Sequence, residues 1–555
     1  MRKFSLLTLV VLFIIVLVAL AALSDFLVDW LWFESLGFGS VFITVWKAKV
    51  AAFGIAAGLS WLMLAINGLL ATRSPVLRVR HLHLVTNLRT DEGLPEVIDL
   101  SLEAVPWRTI VLVFATVLGL VFGLIQASNW ELFLKWRYAV PFERVAPVLG
   151  HDLGFYIFAL PVYGVVRDWA LLITLLAIVS VTAVYWGRGA IDLELGFPQL
   201  KASAMRHLSV LFALFFLVKA GDYLLQRYAL LFSNNEIVFG AAYTDVQVRL
   251  PLLLGLAGLS LIATALCAAN FVFLSLRLPL AAVILVFGVS LGSGIVPSLF
   301  QSYRVKPDEL RLESPYIAHS IAHTRYGFGL DQISRLPFPS AGTLTPEVVA
   351  ANSATIQNIR WWDPRPLLET YRQLQEIRLY YDFHDVDVDR YTFNGTYQQV
   401  LLSGRELNQS RLPPEAQTWI NQHFKFTHGY GMAMSPVNRF DEEGLPLFYL
   451  KDIPPASPME LRIDRPELYF GEKTATYVVV AGGTTEFDYH KGQENMYTTY
   501  QGRDGVSLGN IWRRALFAWY FGDLKLLISG NVTASSRMLF RRLIQERISR
   551  PDCVQ

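Results

Sequence analysis

Seven apolar stretches, each long enough to cross a bilayer as a helix, occupy residues 1–297, and a more polar segment follows them to Gln555. A helix rises about 1.5 Å per residue, so roughly 20 apolar residues cross a hydrocarbon layer of about 30 Å. The stretches run approximately Phe4–Ser24, Val50–Ala71, Thr109–Ser128, Trp169–Tyr185, Leu208–Leu225, Pro251–Leu274 and Leu280–Val296, the fourth and fifth being shorter or interrupted by charge. The chain therefore reads as an α-helical polytopic membrane protein. The first stretch starts after Arg2 and Lys3 like a signal peptide, but it exceeds a usual signal core and six more spans follow, so it reads as an uncleaved helix.

Orientation follows from where the bases collect. With a cytoplasmic N-terminus, the inner segments carry Arg2, Lys3, Arg73, Arg78, Arg80, Arg89, Arg108, Arg188, Lys201, Arg206 and Arg277. The outer loops carry fewer, namely Lys47, Lys49, Lys135, Arg137, Arg144, Arg167, Arg227 and Arg249, and the first of them opens with Asp25, Asp29 and Glu34 and no base. This positive-inside bias puts residues 301–555 outside the plasma (inner) membrane of a bacterium. Gly54 with Gly58 and Gly288 with Gly292 have the spacing of helix packing by close backbone approach. Trp30, Trp32, Trp46, Trp107, Trp130, Trp136, Trp169 and Trp186 fall near span ends, where headgroup anchors are expected.

The domain division is thus 1–300 for the spans and 301–555 for an extracytoplasmic domain. That domain holds 16 of the 23 tyrosines, and its apolar runs are short, which fits a folded α+β domain. PRPLLETYRQLQEIRLYY from Pro364, SLGNIWRRALFAWYF and SSRMLFRRLIQERI read as helices, while YTFNGTYQQVLL and ATYVVVAG read as strands. Loops are expected at Pro454–Pro458 and Gly502–Gly505. Of the two cysteines, Cys267 lies in an apolar stretch and Cys553 near the end, so the domain has no disulfide framework and depends on its core.

No P-loop, paired CxxC or HExxH occurs. A net charge of +2 argues against nucleic acid as a partner. Weaker features remain. His319 and His323 share a helix face at a spacing that suits a metal, yet with no further ligands nearby they read as surface or packing histidines. Asp385, Asp387 and Asp389 alternate as along a strand face; they read as a solvated, Arg-paired face, with Ca²⁺ as the alternative. Lys219 and Asp222 form an intramembrane pair at helical spacing, either a structural salt bridge or part of an ion pathway. Asp25, Asp29, Glu34, Asp152 and Asp245 place acids on every outer loop. They read as the ordinary complement of bases held inside, or as the carboxylates of an enzyme acting on a lipid-linked substrate.

Specific strings carry more information. WLWFESLGFGSVF, GHDLGFYIFALPVY, AYTDVQVRLP, YRVKPDELRLESPYIAHSIAHTRYGFGLD, NIRWWDPRPLLETYRQLQEIRLYYDFHDVDVDRY and FDYHKGQENMYTTYQGRDGVSLG occur in this order. Together they closely resemble UPF0182, an uncharacterised family of multi-pass bacterial inner-membrane proteins. The resemblance covers essentially the whole chain and implies seven N-terminal spans with a large extracytoplasmic part, but no activity. Family chains continue well past the RRLIQERI-like helix, so the outer domain is expected to be incomplete relative to the family. His319 and His323 do not look like part of the family pattern. The expected function is a cell-envelope anchor or binding module for a protein, glycan or lipid. An envelope enzyme and a transporter are the alternatives, the bilayer is a partner, and no cofactor is expected.

Overall fold

The computed structural model describes residues 6–549 apart from 75–80, 90–94, 102–104, 193–198, 235–238, 338–341, 460 and 493. Arg2, Lys3, Arg78, Arg80 and Cys553 lie outside the described residues. The chain forms two compact units, residues 45–336 and residues 1–44 together with 337–555. The partition expected at residue 300 falls elsewhere, because the first helix shares a core with the C-terminal segment.

Among the described residues, the helices long and apolar enough to span a membrane are Val16–Ser35, Gly39–Thr72, Trp107–Ser128, Phe155–Gly187, Ala202–Phe232, Asp245–Phe273 and Arg277–Gly327. At most 44% of the most apolar window of any of them is buried by protein. Their remaining apolar surface is of the kind that lipid tails cover in a membrane span. The first two differ most from expectation. Helix α1 (Leu6–Ser35) runs on through the residues read as the first outer loop, turns at Gly37 (φ +83°), and α2 (Gly39–Thr72) starts at once. The acids Asp25, Asp29 and Glu34 therefore sit on a helix.

The unit 45–336 holds the rest of α2, the hairpin of β1 (His81–Arg89) and β2 (Pro95–Ser101), α3 (Trp107–Ser128) and α4 (Trp130–Arg137). Then come α5 (Leu160–Gly187), the short pair β3 (Ile191–Asp192) and β4 (Gln199–Leu200), α6 (Ala202–Ala229), α7 (Leu250–Phe273), α8 (Arg277–Phe300) and α9 (Glu309–Gly327). Glycine does bring helices together, at positions other than those expected. A Cβ on Gly68 would lie 2.4 Å from Val111, one on Gly123 2.8 Å from Phe53, and one on Gly187 2.2 Å from Trp107. Gly54, Gly58, Gly288 and Gly292 have no atom within 4 Å of such a Cβ. The four-residue spacing was present in the sequence, but which face meets a neighbour depends on tertiary rotation. Short π-helical turns at Phe155–Ala159 and Asp245–Arg249 each precede a Leu-Pro pair that opens a span. Proline has no N–H to donate to the preceding turn, and a π turn absorbs the lost bond.

The other unit is strand-rich. In chain order it contains α10 (Pro346–Ala351), α11 (Ser353–Ile356), α12 (Pro364–Gln375), β5 (Tyr381–Phe383), β6 (Asp387–Phe393), β7 (Thr396–Leu407), β8 (Gly429–Tyr430), β9 (Met432–Pro436) and β10 (Glu467–Leu468). These are followed by β11 (Val478–Val480), β12 (Glu486–Lys491), β13 (Glu494–Thr498), β14 (Val506–Ser507), α13 (Ile511–Phe521), α14 (Lys525–Ile528), β15 (Arg537–Leu539) and α15 (Ile544–Ser549). The expected helix at Pro364 is capped by Asp363, whose carboxylate accepts the Arg365 N–H at 2.9 Å. Asn394-Gly395, both at positive φ, turns β6 into β7, and the long β7 also pairs with β5 and β9 in an antiparallel sheet. Tyr371 and Leu367 of α12 pack on that sheet. Asn510 and Gly522 cap α13 at its two ends.

The segment SSRMLFRRLIQERI departs from expectation. Its first half is β15, central in the order β11-β15-β14, and only Ile544–Ser549 is helical. Met538, Leu539 and Phe540 are buried, and Arg542 is wholly buried among backbone carbonyls, which a surface helix could not supply.

The core of this unit joins the two chain segments. Val28, Leu31, Trp32, Phe33 and Phe42 pack with Phe424, Val479, Val506, Phe517, Met538 and Phe540. Trp32 is a core residue at 3% exposure, not a headgroup anchor. Trp32→Ala is expected to cost about 3–5 kcal/mol, the usual range for a buried aromatic. Urea unfolding of the detergent-solubilised chain, read by protease susceptibility after Pro337, measures it.

Candidate functional site

The intramembrane pair expected on α6 is built into a larger cluster. Lys219 Nζ lies 2.5 Å from Asp222 Oδ2, Gln226 Nε2 donates to the same oxygen at 2.9 Å, and Arg167 of α5 reaches Oδ1 at 3.3 Å. Asp222 is buried, while Lys219 and Arg167 keep about a fifth to a quarter of their side chains exposed. Arg167 also pairs with Asp168 at 2.8 Å. One buried carboxylate thus holds two cations from two helices, which cross-links α5 and α6. Asp222→Asn leaves both cations without that shared counter-charge. It should lower the thermal midpoint in detergent by the equivalent of about 3–5 kcal/mol, and an unchanged midpoint would assign the cluster no role in packing.

The acids expected on the outer loops have different surroundings. Asp152 accepts the N–H groups of Phe142 (3.1 Å) and Gly154 (2.7 Å), and these donors hold its carboxyl below the usual range. Asp245, buried, accepts from Ser233 Oγ (2.9 Å) and Ala242 N (3.0 Å) and pairs with Arg249 at 2.8 Å. Asp29 pairs with Arg541, whose guanidinium also lies 4.9 Å from the centre of the Trp32 ring. Asp25 and Glu34 are exposed. Asp152 and Asp245 thus bond to groups of their own loops, whereas Asp29 pairs with a residue near the far end of the chain.

Asp385, Asp387 and Asp389 do not share one pleat, because β6 begins at Asp387. Asp389 accepts the Arg390 N–H at 2.8 Å. Asp385 groups instead with His384 and Glu472, and His384 Nε2 stands 2.8 Å from Glu472 Oε2. All three are exposed, with ligand atoms within 4.8 Å of one another. Gly288–Gly292 and Gly505–Gly509 carry the Gly-x-Ser-x-Gly spacing that one hydrolase class places at a strand-to-helix turn. Ser290 lies within α8 and accepts from the Tyr223 hydroxyl, while Ser507 accepts the Gly509 N–H. Among the described residues no histidine bonds to either serine.

Several buried polar groups of the strand-rich unit have no signature in the sequence. Glu486 accepts from Thr427 Oγ1 (2.6 Å), Tyr469 OH (2.8 Å) and Tyr500 N (2.9 Å), with His428 beside it. Arg542 donates to the carbonyls of Tyr469 (2.7 Å), Thr476 (2.9 Å) and Thr427. Burial lowers the pKa of that guanidinium, opposed by the Glu486 charge nearby. Glu406 accepts the N–H groups of Glu472 and Lys473, both at 2.8 Å. These groups tie distant segments together.

His423 stacks on Tyr477 with ring centres 4.0 Å apart, and its Nδ1 donates to the Tyr477 carbonyl at 2.8 Å. Burial holds its pKa below the usual 6.5. The unfolded chain therefore takes up this proton more readily than the fold. The stability contribution is intact above that value and is lost as pH falls from it toward the lowered one. His423→Gln should flatten the pH dependence of the melting midpoint as pH falls below about 6.5. A wild-type slope retained in the variant would assign the dependence to another group.

One cavity of about 200 Å³ lies in the unit 45–336, walled by the 146–153 loop, Leu231, Phe239–Ala241 and α9, with His319 and His323 on its lining. A second, almost wholly apolar, of about 350 Å³, is formed by Ala48, Ala51, Ala52 and Ile55 of α2 facing Phe133 and Trp169.

With this geometry established, similarity to known proteins can be stated. The model of the uncharacterised protein family UPF0182 matches residues 6–551. UPF0182 proteins of Bradyrhizobium diazoefficiens and Cupriavidus necator are 44% and 43% identical to this chain over 96% and 98% of its length. A UPF0182 protein of Pelotomaculum thermopropionicum is 40% identical over 94%. The matched regions cover 58%, 59% and 57% of those three relatives, so the chain spans less than two-thirds of their length. No solved structure matches.

Proposed function

The chain belongs to the UPF0182 family, and we propose that it is an anchor and binding module of the cell envelope: a plasma-membrane bundle holding a strand-rich domain on the outer side. The observation that carries this reading is the shared core of Trp32, Phe33 and Phe42 with the C-terminal segment. Such a core makes a membrane-length helix an integral part of the domain it presents, so domain and membrane cannot separate without unfolding. The bias of Lys and Arg toward alternate loops supports a cytoplasmic N-terminus.

A second observation supports seating at the bilayer surface. Helix α13 packs against α1, and along α13, α14 and the turn between them Trp512 and Ile528 are 79% exposed and Leu524 72%, with Arg513 and Lys525 next to them in sequence. Tryptophan with basic residues on one face is the composition of an interfacial surface. Away from it, the rings of Trp361 and Phe440 lie 5.5 Å apart and both are exposed, an aromatic patch suited to an envelope protein, glycan or lipid.

Orientation is tested with single cysteines in a chain whose Cys267 and Cys553 are replaced by serine. Ser353→Cys should react with a membrane-impermeant thiol reagent in intact cells, and Ser203→Cys only after permeabilisation. The opposite pattern would overturn the outside placement. The enzyme reading needs at least one of Asp25, Asp29, Asp152 and Asp245 to be essential to turnover, whereas the anchor reading needs none of them to be.

A further inference from the structure

We infer that the cavity against α9 binds a first-row transition dication through His319 and His323. The two histidines are four residues apart on α9, so their Cβ atoms lie about 5–6 Å apart on one face, within reach of a single ion. Both line the cavity of about 200 Å³. The decisive detail is the hydrogen bonding of His323. Its Nδ1 lies 2.9 Å from the His319 carbonyl oxygen, which can only accept, so Nδ1 carries the proton. The lone pair is then on Nε2, and that atom is buried with no hydrogen-bond partner among the described residues.

A buried, unpartnered acceptor costs free energy unless something occupies it. An imidazole whose Nδ1–H is held by a backbone carbonyl, with Nε2 left free, is the arrangement that orients histidine metal ligands. Tyr316, three residues before His319, and Ser320 share the same lining, and the rest of the wall is apolar, including Ala146, Pro147 and Leu153. Two protein nitrogens leave the other coordination positions to water or to an anionic ligand entering the cavity. Imidazole ligands favour Zn²⁺, Cu²⁺ or Ni²⁺ over Ca²⁺ or Mg²⁺.

The full chain, free of any histidine tag and in detergent, is titrated calorimetrically with Zn²⁺, and with Co²⁺ for its visible spectrum. One site is expected, with His323→Ala and His319→Ala each weakening it by at least about tenfold, the lower end of what even outer-sphere losses produce. His323→Gln and His319→Gln repeat the test if either alanine variant fails to fold. His384→Ala, which removes the exposed cluster with Asp385 and Glu472, should leave that affinity unchanged. Binding that survives both helix substitutions, binding lost with His384, or no saturable binding would each overturn the proposal.

Discussion

Packing of Trp32 and Phe33 into the strand-rich core is the contact on which the architecture of this chain depends. Without it, α1 would present bulky rings to solvent and the C-terminal segment would lack one wall of its core. With it, the aromatic cluster includes Phe26, Phe33 and Phe42 near one another, and Arg541 and Arg547 lie over the Trp32 ring. The ion pair of Arg541 with Asp29 closes the same junction. Apolar burial supplies the driving force, while the charged pair fixes which surfaces meet.

Buried charge follows one pattern in both units. Arg542 has three carbonyl acceptors, Glu486 three donors, Asp222 two cations and an amide, and Asp245 a hydroxyl, a backbone N–H and an arginine. An ion removed from water is tolerable only when several partners replace its hydration. The partners of Arg542 and Glu486 come from segments far apart in sequence and Arg167 joins Asp222 from another helix, whereas Asp245 is satisfied within its own loop and first turn. His323 Nε2 contrasts with them, as a buried acceptor lacking such replacement among the described residues.

The sequence was informative where a signal is local. The helix opening at Pro364 and the one within SLGNIWRRALFAWYF form as read, each with its cap, Asp363 or Asn510, directly before it, whereas YTFNGTYQQVLL, read as one strand, is broken by the Asn394-Gly395 turn into β6 and β7. Long-range pairing was opaque. FLVDWLWFES is acidic enough to pass for a loop, and only the distant Phe517 and Phe540 make its rings interior. RMLFRR has helical spacing, yet its neighbours β11 and β14 make it a central strand. Of the candidate acids, Asp152 and Asp245 looked alike in sequence, but one caps its own loop and the other is buried beside Arg249. The pocket at His319 and His323 was half legible: the spacing was visible, the cavity wall was not.

The two-segment composition of the strand-rich unit also governs how the protein is made. Trp32 leaves the ribosome long before Phe424 or Phe540, and at about 5–20 residues per second the interval lasts tens of seconds. Throughout it, the upper half of α1 has the rings but not the wall that covers them. Contacts of such sequence separation form slowly and late. Until the last third of the chain is made, these rings are the exposed apolar surface that makes an incomplete fold prone to aggregate.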